Sequence, residues 1–230
     1  MENRDIEENF TGQVASAGSS SMKKMNFTHR LWHVVITIMT GIEMSVRAYD
    51  YDKKQHAPTD KDFLLKNIYE IHHVALDKYK SAAFFDYAPA IFHYFRKISG
   101  IYPESYLESL GPQILSKVVS GKQANFDGIN SSGKSGSFFF KSADKKYYVK
   151  TIKSDEFDLI MDILPRYLEY ISANPHSLIS RIFGLHRISL KPKSGSREEW
   201  IIIVMQNIFC TSAELMQFDL KGSTYKRFTK

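Results

Sequence analysis

Residues 128–140 read GINSSGKSGSFFF, and two incompatible folds compete for them. Gly128, Gly133, Lys134 and Ser135 satisfy the phosphate-loop pattern G-x-x-x-x-G-K-[ST]. Gly133 and Gly136, with the aromatic run behind them, suit a glycine flap between two strands equally well. The phosphate loop needs a buried strand running in and a helix running out, because the helix N-terminus completes the anion cradle. The flanks therefore decide. Upstream, SGKQANFDGI (120–129) is no continuous apolar strand. Downstream, SFFFKSADKKYYVKTI (137–152) is aromatic and β-branched with a turn at Ala143-Asp144, which predicts a hairpin and leaves no helix to start at Lys134.

A kinase-type flap has the opposite requirement: strand, glycine turn, strand. Glycine lets the backbone come close to nucleotide phosphates. A lysine on a following strand then pairs with those phosphates and with a carboxylate from the next helix. Lys150 in YYVKTI stands in that place, and Asp155, Glu156 and Asp158 follow it at the start of a helical pattern. A later apolar strand, WIIIVMQNIF (200–209), can serve as the hinge. Each signal is weak alone, and it is their order along the chain that carries the reading.

The bulk numbers permit this. With 230 residues and 43% hydrophobic content, the chain can bury a real core. The aromatic load of 16 Phe, 13 Tyr and 2 Trp argues against general disorder. The single cysteine, Cys210, excludes an intrachain disulfide framework and has no metal-ligand spacing around it. The most apolar stretch, Leu31–Ile42, is about 12 residues where a membrane span needs about 20, so it reads as a buried helix or an interfacial one, with burial favoured. A net charge of +6 is compatible with an anionic partner and does not name one.

Residues 1–25 are polar and without period, which predicts a mobile tail. From Asn26 to Arg47, Leu31, Val34, Val35, Ile38 and Ile42 recur at helical spacing. In Tyr87–Leu110, Ala90, Ile91, Tyr94, Phe95 and Ile98 share a helical face, and Pro89 and Gly100 suit a start and a stop. Pro103 opens a shorter helix, PESYLESL. After the hairpin, Ser154 or Asp155 is placed to cap a helix with a core face of Phe157, Ile160, Met161 and Leu164. Pro165 is expected to end or kink it, since proline has no amide donor. LHRISL and WIIIVMQ then flank a polar loop, a second hairpin.

SGKSGSFFF, YYVKTI, NPHSLISRIFGLHRISL, IIIVMQNIF and above all FDLKGSTYKR resemble the phosphatidylinositol phosphate kinases, as does YAPAIFHYFRKISGI before the glycine loop. TYKR after DLKGS looks like the type I members, which phosphorylate phosphatidylinositol 4-phosphate at the 5 position. The resemblance implies an α+β fold: a kinase-like N-lobe with an antiparallel sheet and one main helix (126–230), preceded by a helical region (26–125) that supports dimer contacts and faces the membrane. It implies ATP with Mg2+ as phosphate donor and phosphatidylinositol 4-phosphate as the lipid partner. A possible homodimer, no nucleic acid, and a cytoplasmic site on the cytosolic face of membranes also follow from it.

Residue by residue, the resemblance makes Gly133, Ser135, Gly136 and Ser137 the flap and Lys150 the phosphate-pairing lysine, with Glu156 or Asp158 as its partner. Asn207 and Phe209 would line the adenine pocket. Lys221, Lys226 and Arg227 would meet the lipid headgroup, a role that suits cations because phosphate oxygens accept charge-assisted hydrogen bonds. The second lobe's catalytic aspartate, metal ligands and activation segment find no counterpart. His186-Arg187 is followed by isoleucine where a catalytic loop has aspartate, and Phe126-Asp127-Gly128 precedes the flap. The chain thus reads as the N-terminal portion of such a kinase, inactive alone; the alternative is a complete, non-catalytic nucleotide-binding or dimerisation module.

Overall fold

The computed structural model describes residues 23–25, 32–49, 58–72, 76–114, 126–130, 138–142 and 144–209. Eight strands form a single antiparallel sheet: β1 Lys23–Met25, β2 Lys66–Glu70, β3 Tyr79–Tyr87, β4 Phe126–Asn130, β5 Phe138–Lys141, β6 Tyr147–Ile152, β7 Ile182–Pro192 and β8 Glu198–Gln206. Their spatial order is β1-β4-β5-β6-β8-β7-β3-β2. The helices are α1 Trp32–Ala48, α2 Pro89–Ile98, α3 Pro103–Leu110 and α4 Ser154–Ala173, with a 3₁₀ turn at Asp60–Phe63.

The segment from β4 to β8, with the long helix α4 between β6 and β7, has the α+β make-up of a kinase-like N-lobe. Residues 131–137 lie outside the described residues; the elements on either side of them are the strands β4 and β5, with Gly128 opposite Phe140 and Asn130 opposite Phe138. A short strand thus precedes the glycine-rich segment, against the upstream composition, and the element that follows it is also a strand, as the aromatic run requires.

The 26–125 region holds the three expected helices, but also two strands that the helical pattern did not announce. β3 pairs with β7 and β2 with β3, so this region extends the lobe's own sheet. Lys23–Met25, assigned to the tail by composition, pairs with β4. Residues 1–22 lie outside the described residues.

Side chains alternate across β3 and β7. Phe84, Asp86 and His186 face α1: a Cβ built on Gly41 would lie 2.2 Å from the Phe84 ring, and Ser45 on α1 donates to Asp86. Tyr87 and Arg187 face the other way, toward Phe157 of α4. Of the stripe expected on α1, Val34, Val35, Ile38 and Ile42 are all within 1% of full burial, and Leu31 lies outside the described residues. On α2, Ala90, Ile91 and Phe95 are core, joined by Phe92 and His93, whereas Ile98 is 36% exposed.

Two boundaries differ from expectation. The cap position of α4 is Lys153, not Ser154 or Asp155. The Glu156 carboxylate reaches back 2.8 Å to accept the Lys153 N–H, half of a capping box. Pro165 does not end α4, which runs on to Ala173. The proline is exposed, so the missing amide bond falls on the solvent side, where water can satisfy the freed carbonyl.

Candidate active site

Lys150 sits in β6, paired on one side with Phe139 of β5 and on the other with Ile203 of β8. Its neighbours Val149, Phe140 and Val204 are fully buried, so the lysine stem rises from a fully buried part of the sheet. Its ammonium Nζ lies 3.4 Å from Glu156 Oε1. Both side chains are partly open to solvent, at 34% and 42%, which leaves the ammonium able to meet a further anion.

The structure separates the two carboxylates that the sequence left open. Glu156 is held by both oxygens, Oε1 toward Lys150 and Oε2 on the Lys153 N–H, so the start of α4 fixes the partner of the strand lysine. Asp158, two residues on, projects about 200° around the helix and is exposed. A strand lysine and a helix carboxylate so joined can hold a polyphosphate, because the carboxylate orients the ammonium without neutralising its donors.

The segment expected to act as a hinge, Asn207–Phe209, follows the end of β8 at Gln206. In the β6–β8 register Gln206 stands opposite Tyr147, three positions from the Lys150–Ile203 pair, which is about 10 Å along the sheet. Asn207 is 4% exposed. Its N–H donates to the Lys146 carbonyl at 2.9 Å, its Nδ2 to the Lys145 carbonyl at 2.5 Å, and its Oδ1 accepts the Phe209 N–H at 3.0 Å. Phe209 itself is 41% exposed.

The β5–β6 turn that receives Asn207 is anchored elsewhere too. Asp144 accepts from Ser142 Oγ at 2.7 Å and from Ser109 Oγ of α3 at 2.6 Å, with Lys146 Nζ at 3.3 Å. Burial opposes its charge, but the hydrogen bonds from Ser109, Ser142 and Lys146 outweigh that and hold the carboxyl below the ordinary aspartate range. Burial, with Asp144 nearby, pushes the Tyr147 phenol up to about 12. No sequence signal pointed to Asp144 beyond its place in a turn.

Gly133, Ser135, Gly136 and Ser137 lie outside the described residues, as do Lys221, Lys226 and Arg227. Among the described residues no group of three His, Cys, Asp or Glu side chains could hold a metal ion. Nor, among them, is any helix long and apolar enough to cross a membrane. His186 and Arg187 prove structural. His186 is 3% exposed, with Nδ1 3.0 Å from Asp86 Oδ1, and Arg187 lies over the rings of Tyr87 and Phe157.

Residues 120–230 match the family model described as phosphatidylinositol-4-phosphate 5-kinase. The chain is 33% identical, over 87% of its own length, to a phosphatidylinositol 4-phosphate 5-kinase of Plasmodium falciparum, 12% of which is covered. It is 42% identical over 63% of its length to a probable phosphatidylinositol phosphate kinase of Dictyostelium discoideum, covering 19% of that protein. It is 34% identical over 70% of its length to the human phosphatidylinositol 4-phosphate 5-kinase type-1 alpha, covering 25%. The chain therefore spans no more than a quarter of the length of these relatives. Residues 120–230 thus match this kinase family's domain, and most of the chain is similar to phosphatidylinositol phosphate kinases, on a kinase-like N-lobe.

Proposed function

We propose that the chain is the nucleotide-binding part of a lipid kinase that transfers the γ-phosphate of ATP to the 5-hydroxyl of phosphatidylinositol 4-phosphate. The observation that carries this reading is the Lys150–Glu156 pair, joining β6 to the helix that follows it. Phosphoryl transfer depends on positioning and charge neutralisation rather than covalent help from the protein. In this reading Lys150 holds the ATP phosphates, Glu156 orients Lys150, and Gly133, Ser135, Gly136 and Ser137 close over the phosphates. Phe209 borders the base.

Lys221, Lys226 and Arg227 receive the anionic headgroup, and Lys226 with Arg227 supports a preference for phosphatidylinositol 4-phosphate. Magnesium is expected with ATP. Among the described residues, no group of three His, Cys, Asp or Glu side chains could hold it. A catalytic base is likewise absent from the recognisable motifs of these 230 residues, and this chain alone is expected to transfer no phosphate. The surroundings of the reaction are the cytosolic face of a membrane, with a homodimer as the working assembly.

The test compares Lys150→Ala with Lys134→Ala in the longest native chain that carries both residues. Transfer of labelled phosphate to vesicles containing phosphatidylinositol 4-phosphate should fall at least about a hundredfold in the first and stay near wild type in the second. The reverse ranking would restore the phosphate-loop reading. Charge reversal of Lys226 and Arg227 should lower lipid use; unchanged lipid binding and headgroup preference would remove the type I assignment.

A further inference from the structure

The family resemblance gives Asn207 a place lining the base pocket, yet its carboxamide is engaged at both ends within the protein. Nδ2 donates to the Lys145 carbonyl and Oδ1 accepts the Phe209 N–H. With 4% of its surface exposed, little of the side chain is left to read a base. What it does instead is join the first residues of the hinge to the β5–β6 turn.

That turn is built as a fixed receiver. Lys145 has a positive φ of 63°, a conformation that costs a non-glycine residue about 1 kcal/mol and persists only where its surroundings hold it. Its N–H donates to the Ser142 carbonyl at 2.8 Å, and Asp144 gathers Ser142, Lys146 and, from outside the turn, Ser109 of α3. The helical region grips the same end of the lobe at other points. Arg96 donates to the Phe183 carbonyl at 2.6 Å, Arg181 to Ser99 Oγ at 2.8 Å, and the Tyr106 ring meets Tyr147 edge-on at 5.3 Å.

We propose that Asn207 is a positioning residue of the nucleotide hinge, set from α3 through the β5–β6 turn by the Ser109–Asp144 contact. The helical region thereby becomes part of the nucleotide site without touching the nucleotide. A shift of α3 moves the turn, and the turn moves the backbone at 207–209. The inference rests on reading that segment as the base-binding hinge of a kinase.

The experiment uses the longest native chain carrying these residues and measures KM and kcat with ATP and with inosine triphosphate, which differs from ATP at the base edge. Ser109→Ala should raise KM for both nucleotides by the same factor, about fivefold for one lost hydrogen bond, with kcat held. Asn207→Ala should do the same, and Ser109→Ala should add little on top of it. Asn207→Asp keeps the acceptor for Phe209 and loses the donor to Lys145, so it should reproduce the KM effect. A lowered Tm with unchanged KM in Ser109→Ala would overturn the proposal, as would an altered ATP-to-inosine ratio in the Asn207 variants. Amide exchange at Phe209 gives a readout free of catalysis. It should quicken about fivefold in Ser109→Ala, and an unchanged rate would also overturn the proposal. If wild type transfers no phosphate, the kinase reading fails while exchange still judges the relay.

Discussion

Gly41 lies in the middle of α1, where glycine costs a helix about 1 kcal/mol relative to alanine. Packing explains its presence. The Cβ that alanine would add falls 2.2 Å from the Phe84 ring, so α1 can approach β3 only without a side chain there. Gly41→Ala is expected to lower stability by about 1–3 kcal/mol despite its better helix propensity. A denaturation midpoint at or above wild type would show that Phe84 moves aside freely. Nearby, Ser45 donates to Asp86, and His186 stands 3.0 Å from the other carboxylate oxygen. These three residues lie far apart in sequence, and nothing in its pattern brings them together. What the sequence offered was the pair His186-Arg187 as a failed catalytic loop; the fold gives both residues packing roles.

Elements were most legible where their ends carry local chemistry. Gly100 stops α2 with φ +69°, with Ile101 N–H donating to the Arg96 carbonyl and Gly100 N–H to the Lys97 carbonyl, the paired bonds of a Schellman ending. Both hairpins were readable from their turns. α4 departs from expectation at Pro165, because one missing donor on the exposed side does not outweigh an inner face that packs Phe157, Ile160, Met161 and Leu164 against the core. Pro165→Ala should therefore stabilise the protein by about 1–3 kcal/mol, measured by chemical denaturation. A loss of stability would mean that the proline shapes α4 for its packing. The strands β2 and β3 were not legible. YKSAAFFDY has weak β-patterning, and its main partner β7 begins about a hundred residues later, a pairing that only the fold discloses.

At the scale of the molecule, α1 to α3 and the sheet form a common core, and two histidines, His93 buried in it and His33 partly buried, make stability depend on pH. His93 is 6% exposed, and burial, then Arg96 and Lys97, lower its pKa from 6.5 to about 4. His33 is lowered to about 4 by burial and then by Lys78. A histidine with a depressed folded pKa binds protons better once unfolded, so its neutral form supports the fold above pH 6.5 and that support is lost as pH falls toward 4. Tm should fall across that window, with His93 accounting for on the order of 1–2 kcal/mol. His93→Phe should flatten part of the slope. A Tm that holds level from pH 7 to 4.5 would show that both rings protonate in place at no cost.

The sequence by itself determined the order of elements from β5 to β8, the place of Lys150 on a strand, and the resemblance to a kinase family. These are local signals: turn residues, periodicity and short motifs, each encoded within a few residues of where it acts. Tertiary structure decided which carboxylate meets Lys150, because a helix start must be placed against a strand before Glu156 and Asp158 differ. It also decided that the 26–125 region shares the lobe's sheet, and that Asn207 is held by the β5–β6 turn. Each of these contacts joins residues whose proximity comes from chain packing, and packing at that range leaves no periodic trace in the sequence.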